Sequence, residues 1–396
     1  MGIILQRLWG STTVRLIVAA GCVVATIAGL VAARRLLGPW TVTAEDYTLR
    51  VRAVARWLDH PWSLVFLPNG DALVTERIGR LRVLRGGTDL DDEPVAGTPT
   101  VSTGGQGGLF DVALHPRFEE NHLLYLAYAK PGSGEREGTD TTALLRARLE
   151  GHRLLDAHDI FVADAWARSH AHYGGRIAFG RDGLLYLTIG ERDDRERAQD
   201  LTDHAGSVVR LRDDGTVPED NPFVGQPNVR PEIYTNGHRS PQGLVVHPQT
   251  GELWEGEQGP LGGDELNVLQ AGRNYGWPLV TYGREYSGAI ITTETSRPGL
   301  EPPLVYWVPS IATTGLIFYT GDRFPLWRGH AFVGGLASRQ VRRVVFDETR
   351  AVHQERLLPL GRRIRDVREG PDGFLYVLTD HRIGEVLQVR PATDER

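Results

Sequence analysis

The sequence predicts an all-β fold, a six-bladed β-propeller preceded by one N-terminal hydrophobic segment, on three observations. Past residue 40, short β-branched and aromatic runs are broken by Gly, Pro, Asn and Asp, without any long stretch of 3.6-residue hydrophobic periodicity. A template of apolar strand, turn and second apolar strand recurs six times. Ahead of all of this lies one uncharged run, residues 16–33.

In chain order, residues 1–15 form a basic N-terminal region carrying Arg7 and Arg15. Residues 16–33 are apolar and small, and Arg34 and Arg35 follow them. A run bracketed in this way reads as an export signal or a retained membrane anchor, and either way the rest of the chain folds outside the cytoplasm. Cys22, the single cysteine, cannot form an intramolecular disulfide, and there is no cysteine cluster for zinc or an iron–sulfur centre. Residues 34–50 read as a linker and approach to the first strand, 51–390 as the propeller and 391–396 as a tail.

The six copies are 63–76 (SLVFLPNGDALVTE), 111–128 (DVALHPRFEENHLLYLAY), 176–191 (RIAFGRDGLLYLTIGE), 243–259 (GLVVHPQTGELWEGEQG), 315–335 (GLIFYTGDRFPLWRGHAFVGG) and 366–380 (DVREGPDGFLYVLTD). Their turn positions, Pro68, Pro116, Arg181, Pro248, Thr320 and Pro371, lie 48 to 72 residues apart, room for a four-stranded sheet and a variable loop. Such a sheet has two apolar faces that it cannot bury alone, and a radial arrangement buries both while leaving only short edges. A pair of β-sandwiches would not explain a template that persists from end to end.

The register also locates a site. Inner strands of a propeller run along one channel, so residues just before equivalent inner strands converge on one mouth. Those residues are His60, Gln106, His172, Arg239, Thr313 with Thr314, and Arg363 with Arg365. Guanidiniums, an imidazole and an amide around one opening favour a planar anionic ligand, because arginine forks bind carboxylates bidentately. His115 and His247 fall in turns and read as structural. The formal net charge of −6 argues against nucleic acid as a partner.

A second dense segment, 255–278 (EGEQGPLGGDELNVLQAGRNYGWP), turns sharply at Gly-Pro and Gly-Gly steps. Carbonyls of Gly259 and Pro260, with Asp264 and Glu265 nearby, make a candidate calcium loop. The same carboxylates read equally well as caps of a turn.

At these residues the sequence resembles the quinoprotein aldose sugar dehydrogenases, also called glucose/sorbosone dehydrogenase-like proteins, which use pyrroloquinoline quinone (PQQ). The segments that carry the resemblance are GQGGLFDVALHPRF, HYGGRIAFGRDGLLYLTIGE, DGTVPEDNPF, IYTNGHRSPQGL, EQGPLGGDELN, NYGWP and RIRDVREGPDGFLYVLTD, in order from about residue 55 to 389. The resemblance implies PQQ in the channel mouth, Ca²⁺ on the quinone, and oxidation of the C1 hydroxyl of an aldose to the lactone. It implies that His172 is the base, that Gln106, Arg239, Ser240, Tyr286, Arg363 and Arg365 contact PQQ, that Gly259 and Pro260 carbonyls hold the catalytic Ca²⁺, and that Glu265 and Tyr275 hold a second, structural one. The pattern departs at Ala337, where the family commonly has a lysine on the quinone, so that either Arg339 substitutes as the PQQ contact or PQQ is held less firmly; at Ser240, in place of asparagine; and at Thr313-Thr314, in place of a proline-serine step. The alternative is a membrane-tethered propeller that binds carbohydrate or a protein without quinone chemistry; a metal-dependent lactonase would want converging carboxylates. The implied partners are a small sugar, an electron acceptor that the sequence does not identify, no nucleic acid, and a membrane through the N-terminal segment alone.

Overall fold

The computed structural model describes residues 39–392, so the signal or anchor segment 16–33 lies outside the described residues. The described residues form six antiparallel sheets. Their innermost strands are Pro61–Phe66, Leu109–Leu114, Gly174–Phe179, Pro241–Val246, Thr313–Phe318 and Ile364–Glu369. Each packs beside the innermost strand of the blade before and the blade after, and the sixth returns to the first. All six sequence copies fall on an innermost strand and the strand that follows it, as the repeat register requires.

Every innermost strand breaks register with its neighbour within its first four residues: after Pro61, Leu109, Gly174, Pro241, Thr313 and Ile364. A bulge re-aims the residues before it. Repeated six times at one end of the ring, it turns the strand entries toward a shared mouth.

Five strands make up the last blade. Ile364–Glu369, Leu375–Thr379 and Gly384–Pro391 come from the C-terminal end, Thr48–Leu58 and Trp40–Thr43 from the N-terminal end. Thr48–Leu58 pairs with Gly384–Pro391 from Leu49 opposite Pro391 to Leu58 opposite Gly384. The stretch 34–50, read as a linker, therefore contains a paired edge strand, because the alternating burial of Trp40–Thr43 covers the outer rim of the closing strand. The seam has its own core: Leu49, Val51 and Leu58 join Val386, Leu387 and Val389 in one apolar cluster with Phe324 and Trp327. Tyr47 meets Phe324 and Trp327 edge-on at 5.4 and 5.0 Å, and Trp327 Nε1 donates to Asp46 at 3.0 Å. The entering chain is thus held on the fifth blade as well as the sixth.

The channel is filled below its mouth. Arg176, fully buried, lies 3.1 Å from Asp366 and 3.7 Å from Asp111, while Arg368 binds the same two carboxylates at 2.7 and 3.1 Å. The Arg176 guanidinium also sits 4.1 Å over the Trp62 ring. The mouth is consequently a blind cavity.

Leu58 is completely buried at the seam. Leu58→Ala is expected to cost about 2–5 kcal/mol. Urea unfolding, with an unchanged denaturant slope, is the measurement.

Candidate active site

At the mouth a cavity of about 230 Å³ is lined by Gln106, Tyr286, Arg363 and Arg365, and also by Arg77, Gln258 and Asp380. His172 enters through Gln106, whose Oε1 accepts the His172 backbone N–H at 3.0 Å. The His172 backbone is left-handed, φ 48°, and the chain passes so close to Gly190 that a Cβ there would meet the His172 carbonyl at 2.2 Å. Its Nδ1 lies 2.8 Å from Glu191 Oε2, with both side chains buried. A carboxylate on Nδ1 fixes the tautomer and leaves the lone pair on Nε2. The segment before His172 is pinned from below by Arg192, which donates to the Ser169 and Ala171 carbonyls, pairs with Asp140 at 2.5 Å and lies 3.6 Å over the Tyr173 ring. His170 turns to Asp140 instead, so the two imidazoles of the HxH step face different carboxylates.

Charge at the mouth is unbalanced. Arg363 and Arg365 share one carboxylate, Asp380, at 3.1 and 3.2 Å. Burial would raise the Asp380 pKa, but Arg365 and Arg363 outweigh it and hold the carboxyl at about 2. Arg77 lines the same cavity, and burial lowers its pKa; its guanidinium forms no hydrogen bond or ion pair among the described residues. Three guanidiniums around one carboxylate make a site for an anion that accepts several forked hydrogen bonds.

Beside the cavity, the turn after Leu253–Glu257 presents carbonyls. Arg239 Nη1 donates to Gln258 O at 2.9 Å and Gly259 O at 3.1 Å, so this turn already gathers positive charge. Asp264 clamps it from behind, accepting from Gly259 N, Ile311 N and Thr313 N at 3.0, 2.9 and 3.2 Å. Burial pushes Asp264 up to about 6 against those bonds. Of the two readings of the loop, Asp264 thus takes the turn cap.

The structure does not gather every expected residue at the mouth. Ser240 is buried behind Arg239, with an Oγ that finds no partner. Arg339 lines a separate rim cavity of about 600 Å³ with Trp57 and Arg362, and this cavity adjoins the mouth through Arg363 and Asp380. Glu265 and Tyr275 are close together, but the Tyr275 hydroxyl is occupied by Val268 O at 2.6 Å and Gln270 N at 2.9 Å, so only its carbonyl could hold a metal. His60 pairs with Asp59, and Thr314 Oγ1 donates to Ile364 O. Reasoning from strand entries misses Arg77, Glu191, Gln258 and Asp380. All four stand at the ends of second strands, which run antiparallel to the first and finish at the same mouth; the register that picked the entries could have picked these exits too.

The family model described as Glucose / Sorbosone dehydrogenase matches residues 58–388. The chain belongs to the glucose/sorbosone dehydrogenase family. It is 41% identical over 354 residues to the aldose sugar dehydrogenase YliI of Escherichia coli, covering 88% of this chain and 94% of that one. The crystal structure of the soluble aldose sugar dehydrogenase from E. coli superposes with a TM-score of 0.83 at 41% identity, over 87% of this chain and all of the other. The PQQ-bound aldose sugar dehydrogenase of Streptomyces coelicolor gives 0.71 at 26% identity, over 88% of this chain and 100% of that one. Quinoprotein glucose dehydrogenase B of Acinetobacter calcoaceticus is 27% identical over 404 residues, 82% of this chain and 84% of its own length. As a member of the glucose/sorbosone dehydrogenase family the protein is an oxidoreductase acting on the CH–OH group of its donor.

Because the folded pKa of Asp380 lies below its ordinary 3.8, its contribution is complete above about pH 4 and lost as pH falls through 2. Urea unfolding across that range should show Asp380→Asn losing about 2 kcal/mol less than the parent protein.

Proposed function

We propose that the protein oxidises the C1 hydroxyl of an aldose to the lactone, with PQQ held at the mouth and Ca²⁺ on the carbonyls of Gly259 and Pro260. The observation that carries this reading is the His172–Glu191 pair at the edge of a cavity with more guanidiniums than carboxylates. When bound, PQQ supplies the quinone that accepts the hydride, and Ca²⁺ supplies a Lewis acid.

The residues present fit both groups. Arg77, Arg363 and Arg365 answer the carboxylates of a planar tricarboxylic acid, and Gln106 and Tyr286 line the same cavity. The Gly259 carbonyl accepts one hydrogen bond, from Arg239 Nη1, and keeps a second lone pair for Ca²⁺. His172 takes the proton of the sugar hydroxyl at Nε2. Glu191 holds the ring in place and favours the imidazolium that results. The filled channel beneath closes the far side of the site to bulk water. Glu265, buried among other carboxylates, and the Tyr275 carbonyl would hold the second Ca²⁺.

The N-terminal run 16–33 supports work outside the cytoplasm, as an exported or anchored protein, with electrons passed to an acceptor still to be identified. Among the described residues no helix is long and apolar enough to cross a membrane. The second reading, a propeller without quinone chemistry, draws on two placements: Arg339 stands on the rim and Ser240 is buried.

In PQQ- and Ca²⁺-loaded protein, His172→Ala should lower kcat with an aldose by about 10²–10⁴ while PQQ stays bound. Glu191→Gln should lower kcat/KM by about tenfold or more while PQQ stays bound, because the imidazole loses the carboxylate that fixes its tautomer. Unchanged turnover in His172→Ala would refute the assigned base.

A further inference from the structure

Behind the mouth, between the fourth blade and the strand Ile233–Asn236, lies a group of acids of which only Glu265 has a role above, toward the second Ca²⁺. Glu255 and Glu257 project from Leu253–Glu257 on the same side, and Asn267 and Glu265 stand opposite them on Asp264–Leu269. Glu255, Glu257 and Asn267 are at most 3% exposed and Glu265 is 8%. Among the described residues no arginine or lysine pairs with any of the three carboxylates; the one basic side chain in contact is His238, with Nδ1 3.3 Å from Glu257 Oε1. Arg239, next in sequence, gives its backbone N–H to Glu257 Oε2 at 2.6 Å but sends its guanidinium to carbonyls.

Two oxygens in this group have no partner at all. Glu255 Oε1 and Asn267 Oδ1 are buried without a hydrogen bond, although Asn267 Nδ2 reaches Glu255 Oε2 at 3.2 Å and Glu265 Oε2 at 3.5 Å. Anionic oxygens removed from water without a counter-charge are among the costliest groups a fold can hold. A bound cation removes that cost.

We propose that His238 Nδ1, Glu255 and Glu257, with Asn267 Oδ1 beside them, form a binding site for a first-row divalent transition cation such as Zn²⁺ or Mn²⁺. One oxygen or nitrogen from each of His238, Glu255 and Glu257 already lies within 4.8 Å of the other two. Ligands about 2.1 Å from one ion stand about 3–3.5 Å apart, a spacing that His238 Nδ1 and Glu257 Oε1 already have at 3.3 Å, so Glu255 closes on them by at most about 2 Å. The imidazole nitrogen separates this site from an all-oxygen calcium loop, since hard Ca²⁺ takes oxygens whereas imidazole suits zinc-like ions. The second nitrogen of His238 has the orienting contact that metal-bound imidazoles carry: Nε2 is 2.9 Å from Thr235 Oγ1, and the Tyr275 ring stacks on the imidazole at 4.9 Å. The ion ties Glu257 to His238 and thereby sets the backbone of Arg239 and the turn that carries Gly259. It is a structural ion for the wall of the mouth, and its existence is independent of the quinone reading.

The test loads the full-length protein with Co²⁺ during refolding, in excess Ca²⁺ so that oxygen-only sites are filled. After exhaustive dialysis the protein should retain one Co²⁺ per chain, with a visible d–d spectrum and an imidazole nitrogen in the cobalt X-ray absorption. His238→Gln and Glu255→Gln should each lose that cobalt, while Glu265→Gln should keep it. Zn²⁺ at a hundredfold excess over its Kd should raise the Tm of metal-stripped protein by roughly 4 °C. Less than about a tenth of a cobalt per chain in the parent protein, or cobalt that survives both His238→Gln and Glu255→Gln, would overturn the site. Where a variant does not fold, the stoichiometry and nitrogen coordination of the parent protein decide.

Discussion

The mouth exists only because Thr48–Leu58 pairs with Gly384–Pro391 and closes the ring. Arg363, Arg365 and Asp380 stand on the closing blade, His172 and Glu191 on the third, Gln106 ahead of the second, and Arg239 and the Gly259 turn on the fourth. No blade carries a working set. Radial packing buries both faces of each sheet, and the same packing brings six strand entries to one opening. Stability and chemistry therefore share one seam, whose core runs from Leu49 to Trp327.

Within that frame the buried acids divide by what satisfies them. Glu191 has an imidazole, Asp380 two guanidiniums, Asp264 three backbone amides, and Asp111 and Asp366 the arginines that fill the channel. Each arrangement fixes a neighbour that the mouth needs: the base, the anion-binding wall, the carbonyl turn and the floor. Glu255, Glu257 and Glu265 stand apart, for they face one imidazole and an amide with no fixed positive charge. A buried carboxylate without a partner calls for a cation or a proton, and the nitrogen in this set selects the kind of cation.

Much of this was legible in the sequence. The hairpin template exposed the six blades because each copy had to carry a turn between its two strands, as Asn69-Gly70 and Asp372-Gly373 show. The convergence of Gln106, His172, Arg363 and Arg365 followed from register alone. Ring closure was not legible, because the pairing of Thr48–Leu58 with Gly384–Pro391 joins residues more than three hundred positions apart and leaves no local signal. Nor was the displacement of Arg339 to the rim, which depends on where the chain turns left-handed at that residue, φ 54°. Glu191 and Asp380 lay at the ends of copies already in view, yet their partners are named only by three-dimensional contact. For Tyr275 the resemblance named the residue without the atom, and the structure narrows the choice, since its hydroxyl is spent on the backbone.

The central claim is that ring closure assembles a mouth whose surplus guanidiniums hold PQQ. Isothermal titration of the purified protein with PQQ, with and without Ca²⁺, tests it most directly. The account predicts binding of one PQQ per chain that Ca²⁺ tightens and that Arg365→Ala weakens by at least tenfold. Absence of heat in either condition, from protein shown to be folded, would contradict it and leave a propeller whose mouth recognises a different ligand.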